Sequence, residues 1–185
     1  MKLAILLLCL AATCLQPPVL KALPNIDDHG GKIDSKYDGF SHETIFTLKK
    51  MKVTCDGTRG NFKDSCVSIT TSLHCPGIQL DYVRYARIQL IFQSKDWDQR
   101  HPVDQRDLSV VADGVTIRLG RMELAGHSTD VMMTEVLEAI IPYKTFRQIA
   151  DAQVVEMQVG KSKFELRQNN LLALRDLNNR VMTKK

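Results

Sequence analysis

The chain has few aromatics. One tryptophan, four tyrosines and six phenylalanines are spread over 185 residues, a thin supply for the stacking platforms of a single-strand nucleic-acid binder. The formal charge is only +4, and the basic residues are interleaved with acids rather than massed. The footprint of a phosphate-backbone partner is therefore missing, and no nucleic acid is expected. There is no Gly-x-Ser-x-Gly elbow. Gly160-Lys161-Ser162 has the end of a phosphate-binding loop, but the Gly required five residues earlier is Val155, so the triplet reads as a hairpin turn. There is no Cys-x2-Cys pair, and His74 beside Cys75 supplies no chelating set alone. Asp96-x-Asp98 lacks the Gly and closing Glu of a calcium loop. Neither cofactor nor metal is predicted, and no catalytic residue is assigned. After residue 22 nothing is apolar enough to span a bilayer, which takes about 20 residues.

The N-terminus is different. Lys2 precedes Leu3-Ala4-Ile5-Leu6-Leu7-Leu8-Cys9-Leu10-Ala11-Ala12, an uncharged apolar run of the length of a secretory h-region. Pro17-Pro18 would break a longer helix. Residues 1–22 are expected to be a signal peptide cut after Ala22, or earlier after Ala12. A lipid anchor on Cys14 is the weaker exported reading, because Ala11 and Thr13 depart from the usual residues before such a cysteine. Removing Lys2 and Lys21, with no acid among residues 1–22, leaves the remainder near +2. A secreted or periplasmic location follows as the expectation.

Export places Cys55, Cys66 and Cys75 where disulfides persist. Three thiols allow at most one internal bridge: 55–66, 66–75 or 55–75. Cys55 and Cys66 are favoured, because Cys55-Asp56-Gly57-Thr58-Arg59-Gly60-Asn61 reads as a turn between strands. Cys75, in the turn signal Cys75-Pro76-Gly77, is then the odd thiol, left free or linking two chains as a dimer.

Residues 23–40 are polar and turn-rich and read as a flexible lead-in, with His29 solvated. A single strand-rich domain is expected over 41–182. Its first strand, around Ile45 to Val53, has an unsettled register. Val67, Ile69, Thr71 and Leu73 alternate with polar residues at a period of two. Ala86, Ile88, Leu90 and Phe92 form the apolar side of the next strand. Asp113-Gly114 between Leu108–Ala112 and Val115–Leu119 is the strongest short hairpin signal, since both turn residues need positive φ. Met133, Glu135, Leu137, Ala139 and Ile141 share one side of a further strand. Pro142 opens a short helix from Tyr143 to Ala152. Val154–Val159 and Lys163–Leu166 pair across Gly160-Lys161. A last helix runs from about Gln168 to Met182, with Leu171, Leu174, Leu177 and Val181 as its apolar stripe. Strands first and helices late predict an α+β fold, an antiparallel curved sheet or β-sandwich with two C-terminal helices packed on one side.

From Ile88 to Val181 the chain resembles a group of exported bacterial proteins of uncharacterised function. The resemblance is carried by Phe92-Gln93-Ser94 with Asp96-Trp97, and by Asp107-Leu108, Val111-Ala112-Asp113-Gly114 and Leu119-Gly120. It continues through Ile141-Pro142-Tyr143-Lys144-Thr145-Phe146, Ile149-Ala150, Val159-Gly160, Phe164-Glu165-Leu166 and Ala173-Leu174-Arg175-Asp176-Leu177. It covers about half the chain, implies a fold and an exported location, and carries over no catalytic residue. The three cysteines lie outside it.

Asp96, Trp97, Asp98, His101 and Asp104 form the densest polar and aromatic cluster, read as a surface loop that contacts a ligand or partner. His127 ranks next, in the loop Ala125-Gly126-His127-Ser128-Thr129-Asp130. The functional expectation is an exported binding or interaction module of the cell envelope or extracellular space, with no chemistry of its own. The alternative is a secreted or periplasmic hydrolase using His101 or His127.

Overall fold

A computed structural model of the chain describes residues 29–55, 65–78, 82–94, 101–128 and 133–182. Residues 1–28, 56–64, 79–81, 95–100 (with Asp96, Trp97 and Asp98), 129–132 and 183–185 lie outside the described residues. Among the described residues no helix is long and apolar enough to cross a membrane.

Two antiparallel sheets and two helices make the α+β fold expected. Strands β1 (Ile33–Asp38), β2 (Glu43–Cys55), β3 (Ser65–Pro76) and β4 (Tyr85–Ser94) form a meander. The chain then leaves for a second sheet through β5 (Asp107–Ala112) and β6 (Val115–Arg121) and returns as β7 (Glu123–Ser128) and β8 (Met133–Pro142). Helix α1 (Tyr143–Asp151), strands β9 (Val155–Val159) and β10 (Ser162–Glu165), and helix α2 (Gln168–Met182) complete it. The larger sheet has the order β1-β2-β3-β4-β8-β7, the smaller β10-β9-β5-β6.

Period-two alternation decides which face is buried. In β4 Ala86, Ile88, Leu90, Phe92 and Ser94 are buried, and the residues between them are half-buried. In β8 Met133, Glu135, Leu137, Ala139 and Ile141 point the same way. Against this face lie α2, on β2 and β3, and α1, on β4 and β8 and on β5 of the smaller sheet. The interior is one continuous apolar cluster that includes Phe46, Leu90, Val110, Phe146, Met157 and Leu174. The helices are tied together by polar groups. Arg175 donates to the carbonyls of Ala150 and Ala152 at the end of α1, at 2.9 and 2.6 Å, satisfying acceptors that a helix terminus leaves open. Tyr143 donates to Asn178 at 2.7 Å.

Both expected hairpin turns form. Asp113 and Gly114 have φ of 48° and 82° between the paired Ala112 and Val115. The Asp113 carboxylate accepts the amides of Gln153 and Val154 at 2.9 Å, fixing the start of β9. Gly160 sits at φ 54° between the paired Val159 and Ser162. Its Cα lies so close to Gln105 that an added Cβ would meet that carbonyl oxygen at 2.6 Å. The triplet Gly160-Lys161-Ser162 is thus hairpin, as expected.

Two expectations are corrected. The lead-in 23–40 contains β1, paired from Ile33 to Asp38 with Leu48 to Glu43. His29 is buried, not solvated. Its Nε2 lies 3.1 Å from the Asp176 carboxylate of α2, and its Nδ1 accepts the Gly31 amide at 2.9 Å. Asp176 is also held by Arg180. Burial pushes the Asp176 pKa up, but the hydrogen bonds from Arg180 and His29 outweigh it and hold the carboxyl below its ordinary value.

Candidate functional site

Two kinds of site emerge: buried serine–histidine–glutamate chains, and an apolar end of the larger sheet. The first chain lies on the outer face of that sheet. Glu43 opens β2, Ser72 and His74 alternate on β3, and Arg84 and Tyr85 stand at the start of β4. His74 Nδ1 is 3.0 Å from Glu43 Oε2, and its Nε2 is 3.0 Å from Ser72 Oγ. Tyr85, the register partner of His74, stacks on the imidazole at 4.4 Å. Arg84 donates to Glu43 at 3.1 Å and Tyr85 to the same carboxylate at 3.4 Å. The buried acid is therefore satisfied from three sides. Burial drives the His74 pKa below its ordinary 6.5; the Glu43 hydrogen bond opposes this and the Arg87 charge reinforces it. A neutral ring suits both neighbours, with Nδ1–H donating to Glu43 and Nε2 accepting from Ser72.

The second chain joins the two sheets. His101 Nδ1 is 2.7 Å from Glu135 Oε2, whose oxygen also accepts the His101 amide at 3.2 Å. His101 Nε2 is 2.8 Å from Ser162 Oγ, at the start of β10. Arg106 donates to the His101 carbonyl at 2.8 Å and lies 3.8 Å from Glu135. Phe92 packs against the imidazole at 4.4 Å. This places one sequence-selected residue, His101, in an ordered polar chain and takes it out of the surface cluster with Asp104, which is exposed in a 3-10 turn over Val103–Gln105. His127 lies on β7, an edge strand rather than a loop. Its register partner is Glu135, yet its side chain is exposed and the acid turns inward to His101. Sequence reasoning missed Ser72, Glu43 and Ser162. For Glu135 a signal existed: an acid on the otherwise apolar side of its strand.

The apolar end is built by two neighbouring turns. Gly77 donates to the His42 carbonyl at 2.7 Å, and Thr44 Oγ1 donates to the Gly77 carbonyl at 2.8 Å, tying the β1–β2 turn to the segment after β3. Asp38 accepts the Phe40 amide at 3.0 Å and the Ser41 hydroxyl at 2.9 Å. Backbone and side-chain hydrogen bonds from Phe40 and Ser41 keep the Asp38 carboxyl below its ordinary pKa. On these turns Phe40 stands 99% exposed and Ile78 75%; Tyr37, near the end of β1, is 40% exposed and Tyr82, just before β4, 58%. The sequence signal was available: large apolar residues beside Gly39 and Gly77, outside any strand alternation.

Among the described residues no group of three His, Cys, Asp or Glu could hold a metal. Cys75 is buried, and desolvation pushes its thiol up to about 11. A link to a second chain through it would require the sheet to open. No family model, curated protein or solved structure matches the chain.

Proposed function

We propose that the chain is an exported binding module that engages its partner through the apolar end of the larger sheet. The observation that carries this reading is the exposure of Phe40 and Ile78 on two segments held together by hydrogen bonds, with Tyr37 near the end of β1 and Tyr82 before β4 also exposed. Leaving such a side chain in water forfeits about 1.5–3 kcal/mol relative to burying it. Several together at one end of a domain mark an interaction surface, and a rigid mount lowers the ordering cost of docking. The location rests on the leader and on the resemblance to exported bacterial proteins. Photocrosslinking from positions 40 and 78 in an exporting cell tests the reading. Adducts from these positions, and none from Val154 on the other sheet, are expected; equal labelling from all three contradicts it.

A disulfide between Cys55 and Cys66 belongs to the same proposal. The register sets the two directly opposite, and opposed residues of an antiparallel pair have Cα atoms about 4.5–5.5 Å apart, within the reach of a bridge. Peptide mapping without reductant is expected to return them as one linked peptide and Cys75 alkylated only after unfolding. The loop of Asp96, Trp97 and Asp98 is a second contact in this reading.

One observation favours hydrolysis as a second reading. Ser162, His101 and Glu135 stand at the spacings of a nucleophile, its base and the group that orients the base. His101 Nε2 would take the Ser162 proton as Oγ attacks an ester carbonyl, and return it to the leaving alcohol. Ester turnover abolished by Ser162→Ala supports this reading, and labelling by a fluorophosphonate that ignores Ser162 excludes it.

A further inference from the structure

We propose that the occupant of the apolar end is the surface of an anionic lipid bilayer; this rests on the reading of that end as a docking surface and names what it docks to. The argument is the order of side chains along the sheet axis. The ladder Asp38–Glu43, Tyr37–Thr44, Lys36–Ile45 counts rungs back from the first turn. Ile45 pairs with His74 and His74 with Tyr85, so the same rung crosses β2, β3 and β4. Arg84 joins it through the hydrogen bond that its backbone amide donates to the His74 carbonyl at 2.8 Å.

On that rung stand two exposed cations, Lys36 and Arg84, the second also paired with Glu43 at 3.1 Å. Beyond it come Tyr37 and Tyr82, each an apolar ring with a polar tip. Beyond those, on the turns, are Phe40 and Ile78, which have no polar atom in the side chain. A bilayer presents the complementary order to an approaching surface: anionic headgroups, then the interfacial layer where tyrosine is favoured, then hydrocarbon. Phe40 at 99% exposure has no intramolecular wall, which suits insertion into a fluid layer. The hydrogen bonds between the turns present both tips together, so one approach seats both. Depth is limited by Asp38, the acid beside Phe40 whose charge is fixed by the Phe40 amide and Ser41. Insertion is accordingly shallow, with phosphate oxygens meeting Lys36 and Arg84.

The test is co-sedimentation of the chain, as purified from the exporting cell, with vesicles of equimolar phosphatidylcholine and phosphatidylglycerol. The wild type is expected to sediment with lipid and to bind phosphatidylcholine alone more weakly. Phe40→Ser and Ile78→Ser are each expected to weaken partitioning about tenfold. Asp38→Asn is expected to strengthen it. Val115→Ser, at a site 54% exposed at the start of β6 in the smaller sheet, is expected to leave it unchanged. A wild type that stays in the supernatant overturns the proposal. So does sedimentation that ignores Phe40 and Ile78, which would place the lipid contact elsewhere in the chain. Equal binding to both vesicles removes the role given to Lys36 and Arg84. If vesicles are ignored while positions 40 and 78 crosslink a protein, the lipid surface is wrong and the docking end stands; if both fail, the docking end falls with it.

Discussion

Replacing Glu135 by leucine probes the tie between the two sheets. The acid sits on the buried side of β8, and its Oε2 accepts both the amide and Nδ1 of His101. Leucine fills the volume but accepts nothing. Two donors of His101 are left without their acceptor, and Arg106 loses its carboxylate. Side-chain exposure is only 6% for His101 and 4% for Glu135, so water cannot replace the lost partner cheaply. Removing one member of a buried pair costs about 3–5 kcal/mol, most of it the penalty for the stranded group. That is a large share of the roughly 5–15 kcal/mol that holds a domain together. Urea unfolding at neutral pH is expected to show a midpoint shift of that size with an unchanged slope. Adding His101→Phe to the leucine variant removes the stranded imidazole and is expected to recover part of the loss. A single-variant cost below about 1 kcal/mol would refute the reasoning, since it would mean that the chain from Glu135 to Ser162 carries no energy.

Other expectations follow the same logic. The folded pKa of His74 lies below the ordinary 6.5, so the unfolded chain takes up the proton first as pH falls. Stability is then full above 6.5 and declines below it by up to about 1.4 kcal/mol per pH unit until the folded group also protonates. His74→Gln should flatten that part of the stability profile between about pH 7 and pH 5. Cys75, buried with its thiol pushed up to about 11, is expected to resist iodoacetamide in the native state and react on unfolding. Gly160→Ala forces a Cβ within 2.6 Å of the Gln105 carbonyl at φ 54°, and thermal melts should show a loss of about 1–3 kcal/mol.

Much of the scaffold is legible in the sequence where one physical signal dominates. β4 and β8 show their buried faces through alternation, and α2 through its leucine stripe. The two-residue turns show themselves because Asp113-Gly114 and Gly160 supply positive φ. The missed strands lack that signal. β1 and β7 are edge strands without a buried residue, β7 exposed almost throughout and β1 along half its length, so neither has an apolar face to alternate. β7 also carries an irregularity between Leu124 and Gly126. The candidate site is less legible because its partners are distant in sequence. His29 and Asp176 are 147 residues apart, and His101 and Ser162 61; local spacing holds no trace of either contact. Phe40 and Ile78 were legible individually, but that they share one end follows only from the pairing of β1 with β2 and of β2 with β3.

The most direct test of the central claim is envelope association of the double variant Phe40→Ser, Ile78→Ser in cells expressing the full chain, read beside its thermal melt. Both side chains are largely solvated, so the account predicts a melt within about 0.5 kcal/mol of wild type and a shift of the protein from the envelope fraction to the soluble one. A folded double variant that stays with the envelope as firmly as wild type would contradict the claim that this end of the sheet is what docks.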